Sequence, residues 1–151
     1  MNQCFTCRVS QSADLPELSL LFDEYRQFYL CRSDKQAAYT WLETNQKTGG
    51  STVFVAESDR KLLGFTQLYP ALCSVDLVKY YILYDLFVAE KARRMGVARA
   101  LMKTASDWAK TQGAARIDLE TAKDNEEAQS LYRSLNYELD EVFIKFSLNL
   151  S

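Results

Sequence analysis

The chain contains no histidine, and that absence removes the commonest general base and every zinc site that needs an imidazole. It contains no run of 18 apolar residues, which argues against a membrane-spanning helix, and no basic start followed by an apolar segment, which argues against a signal peptide. An excess of positive charge is missing as well. The formal net charge is −2, so a nucleic-acid partner is not expected. There is no internal repeat, no linker-like stretch and no second C-x-x-C to accompany Cys4 and Cys7. A separation of three along an alternating strand sends those two thiols to opposite faces, so we expect reduced structural cysteines, no metal, and a cytoplasmic setting.

What is present is an ordinary globular composition, 48% hydrophobic and 25% charged over 151 residues. That length suits one domain spanning 1–151 and burying roughly two thirds of its unfolded surface. Phe5 to Ser10 reads as a first strand. Asp14 and Glu17 read as a capping box opening a helix to about Leu30, with Leu15, Leu18, Leu21, Phe22, Tyr25, Phe28 and Tyr29 on one stripe. Ser33 or Asp34 caps a second helix to about Lys47, with Ala37, Ala38, Trp41 and Leu42 inward, stopped by Gly49 and Gly50. Thr52 to Ser58 and Leu62 to Tyr69 form a hairpin turning at Asp59 and Arg60, and Pro70 is expected to end its second strand.

Lys79 to Val88 is almost wholly apolar or aromatic and should be a central strand. Val97 to Gln112 has helical period and Gly113 to end it. Arg116 to Thr121 reads as a strand parallel to the central one. Asn125 opens a helix to Leu135, with Asn136 suited to a left-handed end position, and two closing strands are expected at 137–139 and 142–148. The order is β α α β β β α β α β β, an α/β fold with a mixed sheet of about seven strands and four helices.

Between the central strand and the long helix stand Lys91, Arg93, Arg94, Met95, Gly96, Val97, Ala98 and Arg99. A glycine at a helix start, amides without intrahelical partners, and the positive end of the helix dipole make an anion site. A phosphate-bearing ligand is the expected occupant.

Arg93-x-x-Gly96-x-Ala98 resembles the acetyl-CoA signature of the GNAT superfamily of N-acetyltransferases, and the element order over essentially the whole chain is similar to that fold. Asn125, Ala128, Leu131-Tyr132 and Leu135-Asn136-Tyr137 resemble its second signature, with Asn-Tyr in place of the usual Gly-Phe. Tyr84-Asp85-Leu86-Phe87-Val88 is similar to the matching strand of spermidine/spermine acetyltransferases. The resemblance implies an acetyltransferase with acetyl-CoA as co-substrate. It puts the pyrophosphate on the amides of 94–99 and the pantetheine arm along Leu86, Phe87 and Val88, with Asn125 and Ala128 as further coenzyme contacts. It also implies Tyr132 as the proton donor to the departing thiolate and the Val88 amide as carbonyl polariser.

An amine of pKa near 10.4 arrives protonated and needs a base. Asp85, a lone charge within YYILYDLFV, is the first candidate, ahead of Glu120 and Glu57, acting directly or through water. Tyr25, Tyr29 and Tyr84 are candidate acceptor-site aromatics, which suits a small cationic amine. A peptide or protein amine, or a non-catalytic acyl-CoA-binding module, are the competing readings. A homodimer is compatible with the fold, though no sequence feature demands one.

Overall fold

A computed structural model describes residues 4–151. They divide into two compact units, one ending at Glu120 and one running Thr121–Ser151.

The first unit is a five-stranded sheet in the order β1-β2-β3-β4-β5, formed by β1 (Thr6–Val9), β2 (Thr52–Ser58), β3 (Lys61–Cys73), β4 (Val78–Val88) and β5 (Ile117–Leu119). Neighbours pair antiparallel up to β4, and β4 pairs β5 in parallel. Helices α1 (Leu15–Phe28), α2 (Lys35–Thr48) and α3 (Val97–Thr111) complete the unit. The apolar stripe of α1 and α2 buries Leu15, Leu18, Leu21, Phe22, Ala38 and Leu42 against Val53, Val55, Leu62 and Phe65 of the sheet. On α3, Trp108 packs edge-on to Phe54 at 5.4 Å and tilted to Tyr81 at 5.3 Å between ring centroids.

Local chemistry accounts for the turns. Asp59 and Arg60 both take positive φ, 48° and 62°, the geometry that a two-residue hairpin needs to match strand twist. Asp34 caps α2 by accepting from Ala37 N at 2.9 Å, and Gly49 closes that helix at φ 69°. Asp23, buried in the middle of α1, accepts from Ser33 Oγ at 2.6 Å and Asp34 N at 2.8 Å. It thereby ties the α1–α2 connection back onto α1. Burial pushes the Asp23 carboxyl up, but those two donors together with the nearby Arg26 and Lys35 charges outweigh it and hold it below the ordinary carboxylate range.

Four expectations from sequence need correction. Asp14 does not cap α1. It accepts from Gln11 N at 2.6 Å and ion-pairs with Arg8 at 2.7 Å, while Glu17 accepts from Leu62 N across the unit at 2.9 Å. Pro70 does not end β3, which continues in register with β4 to Cys73. β2 stops pairing at Leu68, so the proline's missing N–H faces an edge with no acceptor to serve. Trp41 and Ala37 are exposed rather than inward, and so are Phe28 and Tyr29.

The fourth concerns the closing strands. The second unit holds α4 (Glu126–Ser134), capped by Asn125 and followed by Asn136 at φ 66°. Residues 137–148 form no strand, so the sheet has five strands rather than about seven. Asp140 Oδ1 instead accepts from the amides of Val142 and Phe143 at 2.8 and 3.1 Å, a local turn. A strand needs a partner, and residues 121–151 supply none.

β3 and β4 approach closely beside the site. A Cβ built on Gly64 would stand 2.5 Å from the Phe87 carbonyl oxygen and 3.1 Å from Val88 Cα. Gly64→Ala should therefore lower stability by about 2 kcal/mol through overpacking, read as a lower urea midpoint with an unchanged slope.

Candidate active site

The sheet gives Asp85 its position through an irregularity. Gln67 pairs with Asp85, but the next residue, Leu68, pairs with Leu83. Tyr84 is thus an extra residue, a β-bulge in β4. A shift of one residue exchanges the two faces of a strand. Tyr81, before the bulge, packs on Trp108 of α3, whereas Phe87, after it, packs on Tyr25 of α1 at 6.1 Å. Simple alternation would have put residues 81, 85 and 87 on one face. The bulge turns Asp85 toward α1 and leaves Tyr84 standing out, 69% exposed.

Asp85 is 4% exposed. Its Oδ2 accepts from Gln67 Nε2 at 2.7 Å, and its backbone carbonyl accepts from Thr66 Oγ1 at 2.8 Å. The Tyr25 hydroxyl reaches both this carboxylate and the Tyr84 carbonyl oxygen, the latter at 3.4 Å. Burial pushes the Asp85 carboxyl up from its ordinary value, opposed in part by the Gln67 and Tyr25 hydrogen bonds. Burial and the adjoining Asp85 charge push the Tyr25 phenol up too, so it stays protonated at neutral pH.

An aromatic wall stands around this carboxylate. Tyr29 packs on Tyr25 at 5.2 Å. Tyr69 lies edge-on to Tyr84 at 5.8 Å, and its hydroxyl accepts from Trp41 Nε1 at 3.1 Å. Trp41 and Tyr69 are not among the candidate site residues named from sequence, which places Trp41 in the core. Trp41 falls on the helical stripe that normally marks core, and only its exposure distinguishes it. Tyr69 lies within the strand expected from sequence, but nothing in that strand pattern marks its hydroxyl as the partner of Trp41. Gln67 carried no sequence signal at all.

The loop between β4 and α3 has the glycine-started helix expected of it. After a 3-10 turn at Glu90–Ala92, Arg94 takes φ 62° and Gly96 takes φ 81° as the N-terminal cap of α3. The first intrahelical bond runs from Ala100 N to Gly96 O at 3.1 Å, so the amides of Val97 and Ala98 precede the helical ladder and point out of its N-terminus. Met95 is half exposed. Arg93 is drawn back to the strand, with Nε donating to the Val88 carbonyl oxygen at 3.2 Å and its guanidinium 6.0 Å from the Phe87 ring centroid. It braces the loop on the end of β4.

Beyond Leu83, β4 has an open edge. β5 pairs only with Tyr81, Ile82 and Leu83. Ala89 N donates to Leu63 O on the β3 side at 2.8 Å, so strand alternation turns the amides of Leu86 and Val88 to the other edge. Among the described residues no strand covers them. They are donors for an extended chain laid alongside.

In the second unit, Asn125 Oδ1 accepts from Ala128 N at 3.1 Å, so both are engaged in the cap of α4. Tyr132 is half-buried on that helix, its ring 6.1 Å from Tyr137. Burial, with Tyr132 adjoining, pushes the Tyr137 phenol up to about 12.

The described residues contain no group of three or more metal-ligating side chains, and no helix long and apolar enough to cross a membrane. None of Cys4, Cys7, Cys31 and Cys73 forms a disulfide among the described residues.

Known proteins share this design. An uncharacterised N-acetyltransferase of Bacillus subtilis, YhfO, is 38% identical over 143 residues, covering 95% of this chain and 96% of its own. A probable acetyltransferase of Haemophilus influenzae is 30% identical over 132 residues, covering 87% of this chain and 88% of its own. The crystal structure of a probable acetyltransferase superposes with a TM-score of 0.91 at 35% identity, covering 97% of this chain and 98% of that one. The model of the GNAT acetyltransferase family matches residues 18–137. With its mixed sheet, four helices and the glycine-capped start of α3, the chain belongs to the GNAT family of acetyltransferases and is an acyltransferase enzyme.

Proposed function

We propose that this enzyme moves the acetyl group of acetyl-CoA to the primary amine of a small cationic compound, such as a polyamine or amino compound, and that residues 1–151 act as one catalytic domain. The observation that carries the acceptor class is a buried carboxylate, Asp85, under an aromatic wall of Tyr25, Tyr69, Tyr84 and Trp41. Aromatic faces attract an ammonium group, and a carboxylate whose proton affinity is raised by burial can take the proton that an amine must lose. Cysteines without disulfides suit a cytoplasmic enzyme.

Acetyl-CoA supplies an activated thioester. The amides of Val97 and Ala98, with Gly96 leaving the backbone open above them, suit its pyrophosphate. The outward amides of Leu86 and Val88 suit the pantetheine arm, with Val88 placed to polarise the acyl carbonyl. Arg94 and Arg99 are further proposed coenzyme contacts in the same loop, and the family resemblance makes Asn125 and Ala128 of the second unit proposed coenzyme contacts too. Tyr132 is the proposed acid, a phenol able to donate to a departing thiolate.

Thiol release from acetyl-CoA, screened over polyamines, aminoglycosides, amino acids and short peptides, tests the acceptor class. Turnover confined to peptides would overturn the small-amine reading. Coenzyme binding with no turnover on any acceptor would point to a binding module. Tyr132→Phe keeps the ring against Tyr137 and removes only the hydroxyl. It should lower kcat by about thirtyfold while leaving coenzyme affinity within about threefold; a smaller loss in kcat removes Tyr132 as the acid.

A further inference from the structure

Gln67 is fully buried at the centre of β3, directly across from Asp85. An amide in that place must satisfy a donor and an acceptor without water. It does so in a line. Ser51 Oγ donates to Gln67 Oε1 at 2.6 Å, and Gln67 Nε2 donates to Asp85 Oδ2 at 2.7 Å. Ser51, the residue before β2, is itself buried.

The direction of this line follows from its ends. A glutamine amide can present either its oxygen or its nitrogen, and the oxygen would repel an ionised carboxylate. The Ser51 hydroxyl, by donating to Oε1, selects the orientation that puts Nε2 on Asp85. The titratable groups that face Asp85 from the surrounding elements are Tyr25 on α1 and Tyr69 on β3. α2 contributes Trp41, which is uncharged and donates to Tyr69. Burial pushes both phenols up, so neither carries charge where the carboxyl titrates.

We propose that Gln67, locked by Ser51, is a positioning residue for acetyl transfer: it fixes the orientation of the Asp85 carboxylate and opposes the loss of its charge in a buried site. The inference rests on Asp85 being the base and adds the two residues that hold it ready. A donor on the carboxylate favours its ionised form, so removing the donor must raise the pH at which Asp85 loses its proton.

The test needs no acceptor. In protein carrying carbon-13 at the aspartate carboxyl, the Asp85 resonance is assigned by its absence in Asp85→Asn and titrated in the free enzyme. Gln67→Leu should move its midpoint up by about one unit or more, the size expected for one hydrogen bond to a buried charge. Ser51→Ala should move it the same way by less. In the wild type, the Gln67 side-chain amide resonances should shift with the Asp85 midpoint. If Gln67→Leu fails to fold, that amide titration and Ser51→Ala decide the matter. An unmoved midpoint in Ser51→Ala, together with Gln67 amide signals blind to the Asp85 titration, overturns the proposal. Because no turnover is read, this result is separate from the fate of Asp85 as base, which the activity of Asp85→Asn decides.

Discussion

Gly96→Glu should weaken coenzyme A binding by at least about a hundredfold, measured by calorimetry on the folded variant. Two effects combine. Gly96 sits at φ 81°, where a residue with a Cβ costs about 1–2 kcal/mol, so the substituted backbone tends to leave the conformation that aims the first-turn amides outward. Glutamate also brings negative charge to the place where a pyrophosphate is expected, which reverses the field of the helix terminus. A Cβ at this position meets nothing within 4 Å, so the substitution creates no packing clash and the fold should survive. Gly96→Ala separates the two effects. It carries the conformational cost alone and should weaken binding by about tenfold. Unchanged affinity in Gly96→Glu would mean that the phosphates bind elsewhere.

That loop was the most legible part of the chain because its information is local. Glycine at a helix start, basic residues beside it and a helical period after it all lie within ten residues, and Gly96 and α3 take the expected form. The Asp59-Arg60 turn was legible for the same reason. Where several local answers compete, distant partners decide. Asp14 and Glu17 satisfy the capping-box pattern, but Arg8 takes the first and the Leu62 amide takes the second. The apolar alternation of Val142, Ile144, Phe146 and Leu148 is a good strand pattern, yet pairing is a property of two segments, and residues 137–148 pair with no strand among the described residues. Pro70 misled in the opposite sense, since only the end of β2 at Leu68 shows that its nitrogen faces no acceptor.

The surroundings of Asp85 show the same division. Asp85 was conspicuous as a lone charge in an apolar run. Its face was not, because alternation through Tyr81, Leu83 and Asp85 places it on the side that the Tyr84 bulge takes it away from. A bulge is an agreement between two strands, and nothing in YYILYDLFV announces it. Tyr25 and Tyr84 were read from their aromatic character; the Tyr25 hydroxyl reaches the Asp85 carboxylate and the Tyr84 backbone carbonyl, while the Tyr84 ring stands exposed. Tyr29 joins them through Tyr25. Gln67 and Ser51 belong to the same constellation and have no signature in sequence, since a glutamine in a strand ordinarily faces water.

Asp85→Asn is the substitution on which the chemical reading depends, and it should lower kcat by about a hundredfold or more. The change is nearly isosteric. The asparagine oxygen can still accept from Gln67 Nε2, and its new amide can donate toward Tyr25, so a buried polar group is not left unsatisfied and stability should change little. What is lost is the capacity to take a proton. In the wild type, burial raises the proton affinity of Asp85, so kcat/KM should rise with pH along an acid limb lying above the ordinary carboxylate range, where the carboxyl ionises. In Asp85→Asn that limb should vanish and the residual rate should follow only the ionisation of the free amine. Asp85→Glu should keep a limb but lose rate, because the longer side chain cannot hold both the Gln67 and Tyr25 bonds in place. If Asp85→Asn retains more than about a third of wild-type turnover with its acid limb intact, the proton leaves by another group. The buried carboxylate then serves the sheet, as an acceptor that closes the Ser51–Gln67 line, and not the reaction.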